Sequence, residues 1–175
     1  FNIWAYSRID TCKPEYLEKL KKAGVNWLGL GIENPSSVIR KEVHKGAFKD
    51  VKIIDIINSI RDAGINVAAN YIFGLPEENE KSMKFTYEFA EETNSEMVNF
   101  YSAMAYPGSP LYLEAKKNKI KLPENYSGYS QHSYEYVFLR ADLLGLRIAI
   151  CKKMASSTKG RALRAPPPFC QPFSC

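Results

Sequence analysis

Four apolar runs punctuate the chain, each bounded by turn or charged residues. Phe1 to Ile9 forms a strand-like pattern, Val25 to Ile32 is apolar without alternation and stops at Glu33, Asn66 to Phe73 continues into Gly74-Leu75-Pro76-Glu77, and Met97 to Ala105 is the last. Short continuous runs of this kind predict strands buried on both faces of a parallel sheet. Helical spacing fills the intervals. Pro14 suits a first turn, Leu17, Leu20 and Ala23 form a stripe, and Gly24 is the stop, with Lys19, Lys21 and Lys22 on the solvated face. A short helix is predicted from Ser36 to about Val43, ended by Gly46. Asp50 is placed to cap the next, whose Ile53, Ile54, Ile57, Ile60 and Ala63 share a face before Gly64. Met83, Thr86, Tyr87 and Ala90 mark another inner stripe, and Ser109 with Pro110 opens a further helix.

The sequence repeats at this level. Ala23-Gly24-Val25-Asn26 before the second strand is echoed by Ala63-Gly64-Ile65-Asn66 before the third. Strand, helix and strand in tandem predict an α/β protein with parallel strands joined by right-handed crossovers. Residues 120 to 138, rich in Tyr, Ser, Asn and Gln, read as an ordered loop in which Tyr126, Tyr129, Tyr134 and Tyr136 pack on one another or stack on an aromatic ligand.

Charge divides the chain in two. Residues 1 to 138 carry 17 Lys and Arg against 18 Asp and Glu, whereas residues 139 to 175 carry seven basic residues and one acid. The tail also holds Cys151, Cys170 and Cys175, and Pro166, Pro167, Pro168 and Pro172. The domain is therefore expected over 1–138. Residues 139–175 form a basic, Cys- and Pro-rich tail with one amphipathic stretch, Leu143 to Met154, before a segment from Lys159 with little to bury. The cysteines do not form a secreted disulfide framework, and no pair has the gap of a zinc hairpin. With no bilayer-length apolar stretch and no signal-peptide pattern, the expected location is the cytoplasm. Phe1 already lies in a strand-like pattern, so the natural chain is expected to begin upstream.

In βα arrays ligands bind at the carboxyl ends of the strands. Those ends deliver Ser7, Arg8 and Asp10; Glu33 and Asn34; Asn70, Gly74 and Glu77; and Ser102, Tyr106 and Gly108. The set suits a polar small molecule bearing both an ammonium and a carboxylate. Each member also has a structural explanation. Glu33 can favour the helix beginning near Ser36. Arg8 can pair with Asp10 or Glu33 instead of a ligand carboxylate. Asn70 can satisfy nearby backbone. Lys45 can be a solvated charge, Glu77 and Glu78 suit the start of the next helix, and His44 and His132 stand alone.

Taken in order, Tyr6-Ser7-Arg8-Ile9-Asp10, Leu28-Gly29-Leu30-Gly31-Ile32-Glu33-Asn34, Lys45-Gly46, Ala63-Gly64-Ile65, Asn70 to Glu77 and Pro107-Gly108-Ser109-Pro110-Leu111-Tyr112 resemble the radical SAM superfamily. The likeness is to the branch that often carries a cobalamin-binding domain, and it covers roughly residues 1 to 136. It implies a partial parallel (βα) barrel, TIM-like, of which this chain holds the last four βα units of a (βα)6 radical SAM barrel. By position it implies cofactor contacts at Arg8, Glu33 and Lys45. Asn70, Ile72 and Gly74 match the fifth-strand motif, with Asn70 replacing its leading glycine, and backbone at Ala103 and Met104 would close the adenine pocket. Implied cofactors are S-adenosylmethionine, a 4Fe-4S cluster and, in this branch, cobalamin.

The departures define a fragment. The family's three-cysteine cluster motif and its glycine-rich second-strand stretch are missing, and Cys12 is alone. The resemblance thus implies the C-terminal part of a radical SAM domain, inactive by itself. In the intact parent it serves an enzyme that generates a 5′-deoxyadenosyl radical or methylates through cobalamin, acting on an unknown small-molecule substrate. The open barrel edge is expected to associate. The tail departs from the family pattern, and a non-native continuation from about residue 139, such as a shifted reading frame, accounts for it. A non-catalytic RNA- or protein-binding module using the basic tail is the alternative, and a metal-dependent aldolase-like barrel a weaker one.

Overall fold

The computed structural model describes residues 1–36 and 52–130. Lys45, the helix expected after Ser36, the Asp50 cap, the boundary near residue 138 and the basic tail lie outside the described residues. Within them, β1 (Ile3–Arg8), α1 (Pro14–Lys22), β2 (Val25–Glu33), α2 (Ile53–Asp62), β3 (Asn66–Phe73), α3 (Glu80–Thr93), β4 (Met97–Ser102) and α4 (Pro110–Lys117) follow one another. The strands form one parallel sheet in the order β1-β2-β3-β4. When each strand joins its predecessor and every crossover has the same hand, all helices fall on one face and the other is left to a barrel interior.

Burial follows that division. Leu28, Leu30, Ile32, Val67, Ala69, Tyr71, Phe73, Val98 and Phe100 form one core with Leu17 of α1, Ile53, Ile57 and Ile60 of α2, and Met83, Tyr87 and Ala90 of α3. Ile56, not the expected Ile54, completes the packed face of α2. α1 begins at Pro14 and carries Lys19, Lys21 and Lys22 in its last turn, where cations suit the helix dipole. α3 is fixed by a reciprocal cap between Asn79 and Ser82 and ends at Asn94 in the left-handed region. Ser109 caps α4 as expected. Tyr129 packs against Tyr106 and Tyr112, which precede the tyrosine-rich loop, whereas Tyr126 is exposed and does not join the expected packing of the loop's own rings; Tyr134 and Tyr136 lie outside the described residues.

The repeated Ala-Gly segments close the amino-terminal edge of the sheet. Gly24 and Gly64 both take positive φ, and Lys21 Nζ joins the two copies by donating to Asn26 Oδ1 and to the Gly64 carbonyl, each at 2.6 Å. Next to them Glu96 accepts from the Val67 amide at 2.8 Å and from Arg61 Nε at 3.1 Å. This edge is occupied by structural bonds. Among the described residues no helix is long and apolar enough to cross a membrane.

Candidate cofactor-binding site

The face turned away from the helices carries successive rows. Tyr6, Gly29, Ala68 and Met97 are in register, then Arg8, Gly31, Asn70 and Asn99, then Ile72 and Tyr101. The Tyr6 ring lies over Gly29, where an added Cβ would come within 2.6 Å of it, and Trp4 stacks on Trp27 at 4.9 Å nearer the amino-terminal edge. Only glycine leaves room for that ring.

Towards the carboxyl edge the rows become polar. Arg8 ends β1 and is held by Asp10 through two bonds of 3.0 and 2.6 Å, so the pairing of these two residues is realised at an exposed rim. β2 loses register between Gly31 and Glu33, and Glu33 is buried with φ of 66°. A bulge and a left-handed non-glycine residue at a strand exit are features that cluster where side chains are re-aimed at ligands. Asn70 is half-buried; its Oδ1 accepts from Asn99 Nδ2 at 2.9 Å, while its own amide reaches the Ala68 carbonyl at 3.4 Å. Gly74 takes φ of 84°, which releases the chain from β3 into a tight exit. Beyond it Ile72, Leu75 and Ala103 form a small apolar cluster of their own, separate from the main core, and Met104 is buried beside Ala103 in sequence.

Two expectations are corrected here. Ser102 pairs with Phe73 and is buried on the helix side, so the fourth strand gives Tyr101 to the crevice instead. Its phenol is pushed up by burial first, then by Tyr6 and Glu33, which places each of those two groups within electrostatic reach of Tyr101. Glu77 and Glu78 do not open the next helix, which starts at Glu80 behind the Asn79 cap. Glu77 is exposed in a turn, whereas Glu78 is 1% exposed and bonded to both loops. Its Oε1 accepts from Asn34 Nδ2 at 2.8 Å, and its Oε2 accepts from the amides of Leu75, at 3.2 Å, and Gly74. Asn99, Tyr101 and Glu78 were not singled out by sequence. Alternation along β4 puts the first two on one face, and pairing with β3 decides which face that is; for Glu78 no local signal separates it from its neighbour.

The site thus has a buried carboxylate, an apolar ledge and hydrogen-bonding groups on adjacent strands. It does not fit an iron–sulfur cluster. Among the described residues no three His, Cys, Asp or Glu side chains are grouped to hold a metal, and the buried Cys12 thiol is pushed up, chiefly by desolvation, away from the thiolate form.

Comparison with known proteins agrees with the fold and with the family resemblance. Residues 5–90 match the model of the radical SAM superfamily. An uncharacterized methyltransferase of Pyrococcus horikoshii is 27% identical over 126 residues, covering 72% of this chain and 27% of its own length. A bacteriochlorophyllide d C-12(1)-methyltransferase of Chlorobaculum tepidum is 25% identical over the same shares, so the chain spans about a quarter of these relatives. Among solved structures, the radical S-adenosylmethionine methyltransferase TsrM from Kitasatospora setae, with cobalamin and a [4Fe-4S] cluster bound, superposes with a TM-score of 0.61 at 14% identity, covering 71% of this chain and 25% of its own. That likeness bears on the fold.

Proposed function

As this chain belongs to the radical SAM superfamily through residues 5–90, we propose that it supplies the nucleoside-binding part of an S-adenosylmethionine site at the carboxyl ends of β2, β3 and β4. One observation carries this. The buried, left-handed Glu33 at the exit of β2 and the apolar cluster of Ile72, Leu75 and Ala103 lie on neighbouring strand exits. A carboxylate suits ribose hydroxyls, and an apolar ledge suits the face of adenine.

In the intact enzyme, S-adenosylmethionine with its 4Fe-4S cluster supplies radical chemistry: hydrogen abstraction from substrate, or methyl transfer where cobalamin takes part. This chain's residues bind and orient. Glu33 holds the ribose, Ile72 and the backbone from Gly74 and around Ala103 and Met104 frame the base, and the Asn70–Asn99 pair with Tyr101 lines the space beneath. No cluster ligand is assigned among the described residues, and the isolated chain is read as inactive. Methyl transfer is the favoured outcome because it is what both relatives are named for. The cytoplasm remains the proposed location.

The test is calorimetric titration of the full chain with S-adenosylhomocysteine. Saturable binding that S-adenosylmethionine competes away and that Glu33→Ala weakens about tenfold supports the assignment. Binding unaffected by Glu33→Ala, or none at all, refutes it.

A further inference from the structure

We infer that Glu78 is a positioning residue that locks the exits of β2 and β3 into one register, so that Glu33 and the Ile72–Leu75–Ala103 ledge present themselves to a single ligand. The inference rests on the nucleoside-binding assignment above.

A fully buried carboxylate is costly unless its oxygens are bonded, and both oxygens of Glu78 accept from N–H groups. One takes Asn34 Nδ2, the other the amides of Leu75 and Gly74. Asn34 is itself 0% exposed; its Oδ1 accepts from the Ser36 amide at 2.9 Å, and its Nδ2 also reaches Thr86 Oγ1 at 3.2 Å. The two loops, 44 residues apart in sequence, are therefore bridged through one side chain. Asn34 directly follows Glu33 and its amide donates to the Ile32 carbonyl at 2.8 Å, so anchoring Asn34 holds the tight turn in which Glu33 takes φ of 66°. Helix capping does not explain it, because Asn79 and Ser82 already cap α3.

The bonding pattern makes a specific demand: both oxygens of residue 78 must accept. Glutamine offers one acceptor and one donor, so Glu78→Gln turns a donor towards either Asn34 or the Gly74–Leu75 amides. Asn34→Asp added to Glu78→Gln restores the pattern with the charge moved to position 34. The introduced aspartate then accepts from the glutamine NH2 and from the Ser36 amide, and the Thr86 hydroxyl, which donates to the Ser82 carbonyl at 2.9 Å in the wild-type chain, gives up that bond to donate to the aspartate.

The experiment measures amide hydrogen exchange at Gly74, Leu75 and Ser36, together with S-adenosylhomocysteine affinity, in the full chain. Glu78→Gln is expected to speed exchange at all three amides and to weaken binding about tenfold, and the double variant to recover both. If Glu78→Gln does not fold, recovery of fold and affinity in the double variant carries the same weight. Unchanged exchange at Ser36 in Glu78→Gln, or a double variant no better than the single one, overturns the inference. Should the wild-type chain fail to bind the nucleoside, the functional assignment falls while the exchange data still decide the brace.

Discussion

Asn99 donates to Asn70 across the seam between β3 and β4, at 2.9 Å and in direct register. The pair stands half-buried in the row that Arg8 and Gly31 complete, where a carbonyl left without its donor is more costly than the bond is favourable. Asn99→Leu strands the Asn70 oxygen and is expected to cost about 1–2 kcal/mol in urea unfolding. Replacing both by leucine removes the stranded group, and the double variant should be the more stable of the two. A double variant weaker than the single would show that the amides serve the fold independently.

Glu33 holds a backbone conformation that side chains avoid, with φ of 66°. Glycine adopts it without strain, so Glu33→Gly should raise unfolding stability by about 0.5–1 kcal/mol while weakening nucleoside binding about tenfold. Glu33→Ala, lacking that freedom, should weaken binding to the same extent with no such gain. Thermal melting and titration on the same samples separate the two effects.

Two glycines that crowd their neighbours should respond differently to alanine. At Gly24, φ is 99° and an added Cβ would come within 2.6 Å of the Phe1 carbonyl oxygen, so the left-handed backbone and a backbone contact both oppose a side chain. At Gly29 the obstacle is the ring of Tyr6, which is 78% exposed and able to swing outward. Gly24→Ala is expected to destabilise by about 1–3 kcal/mol and Gly29→Ala by under about 1 kcal/mol, the latter with a change in tyrosine fluorescence. Equal losses in chemical denaturation would contradict the packing described.

Burial pushes the Tyr71 phenol up to about 12, moderated by its bond to Thr93. The unfolded chain loses this proton near pH 10, so between pH 10 and 12 the unfolded state binds fewer protons and stability falls as pH rises, levelling off above the folded value. The loss attributable to this one group is about 2 kcal/mol across that window. In Tyr71→Phe the decline over the same range should be shallower. Urea midpoints at pH 9 and pH 11.5 give the comparison.

Much of the scaffold is written locally. The Ala-Gly-β-branched-Asn repeats mark two helix stops and strand starts because a positive φ is needed at Gly24 and Gly64, and the stripe at Met83, Thr86, Tyr87 and Ala90 is buried as its spacing implies. Glu33 and Gly74 were legible as strand exits because an apolar run stops at each, although the positive φ of Glu33 carries no local signal. What escaped depended on partners remote in sequence. Whether Tyr101 or Ser102 faces the crevice is decided by pairing with Ile72 and Phe73, and one residue of register reverses the answer. Glu77 and Glu78 are chemically identical neighbours. Only the turn after Gly74 and the distant Asn34 choose the second.

The claim on which the account turns is that a nucleoside sits against Ile72 on the face away from the helices. With isoleucine methyls labelled, titration of the full chain with S-adenosylhomocysteine should shift the Ile72 methyl resonance saturably while that of Ile60, fully buried among the helices, stays in place. A shift at Ile60 without one at Ile72, or no shift at either, would contradict it.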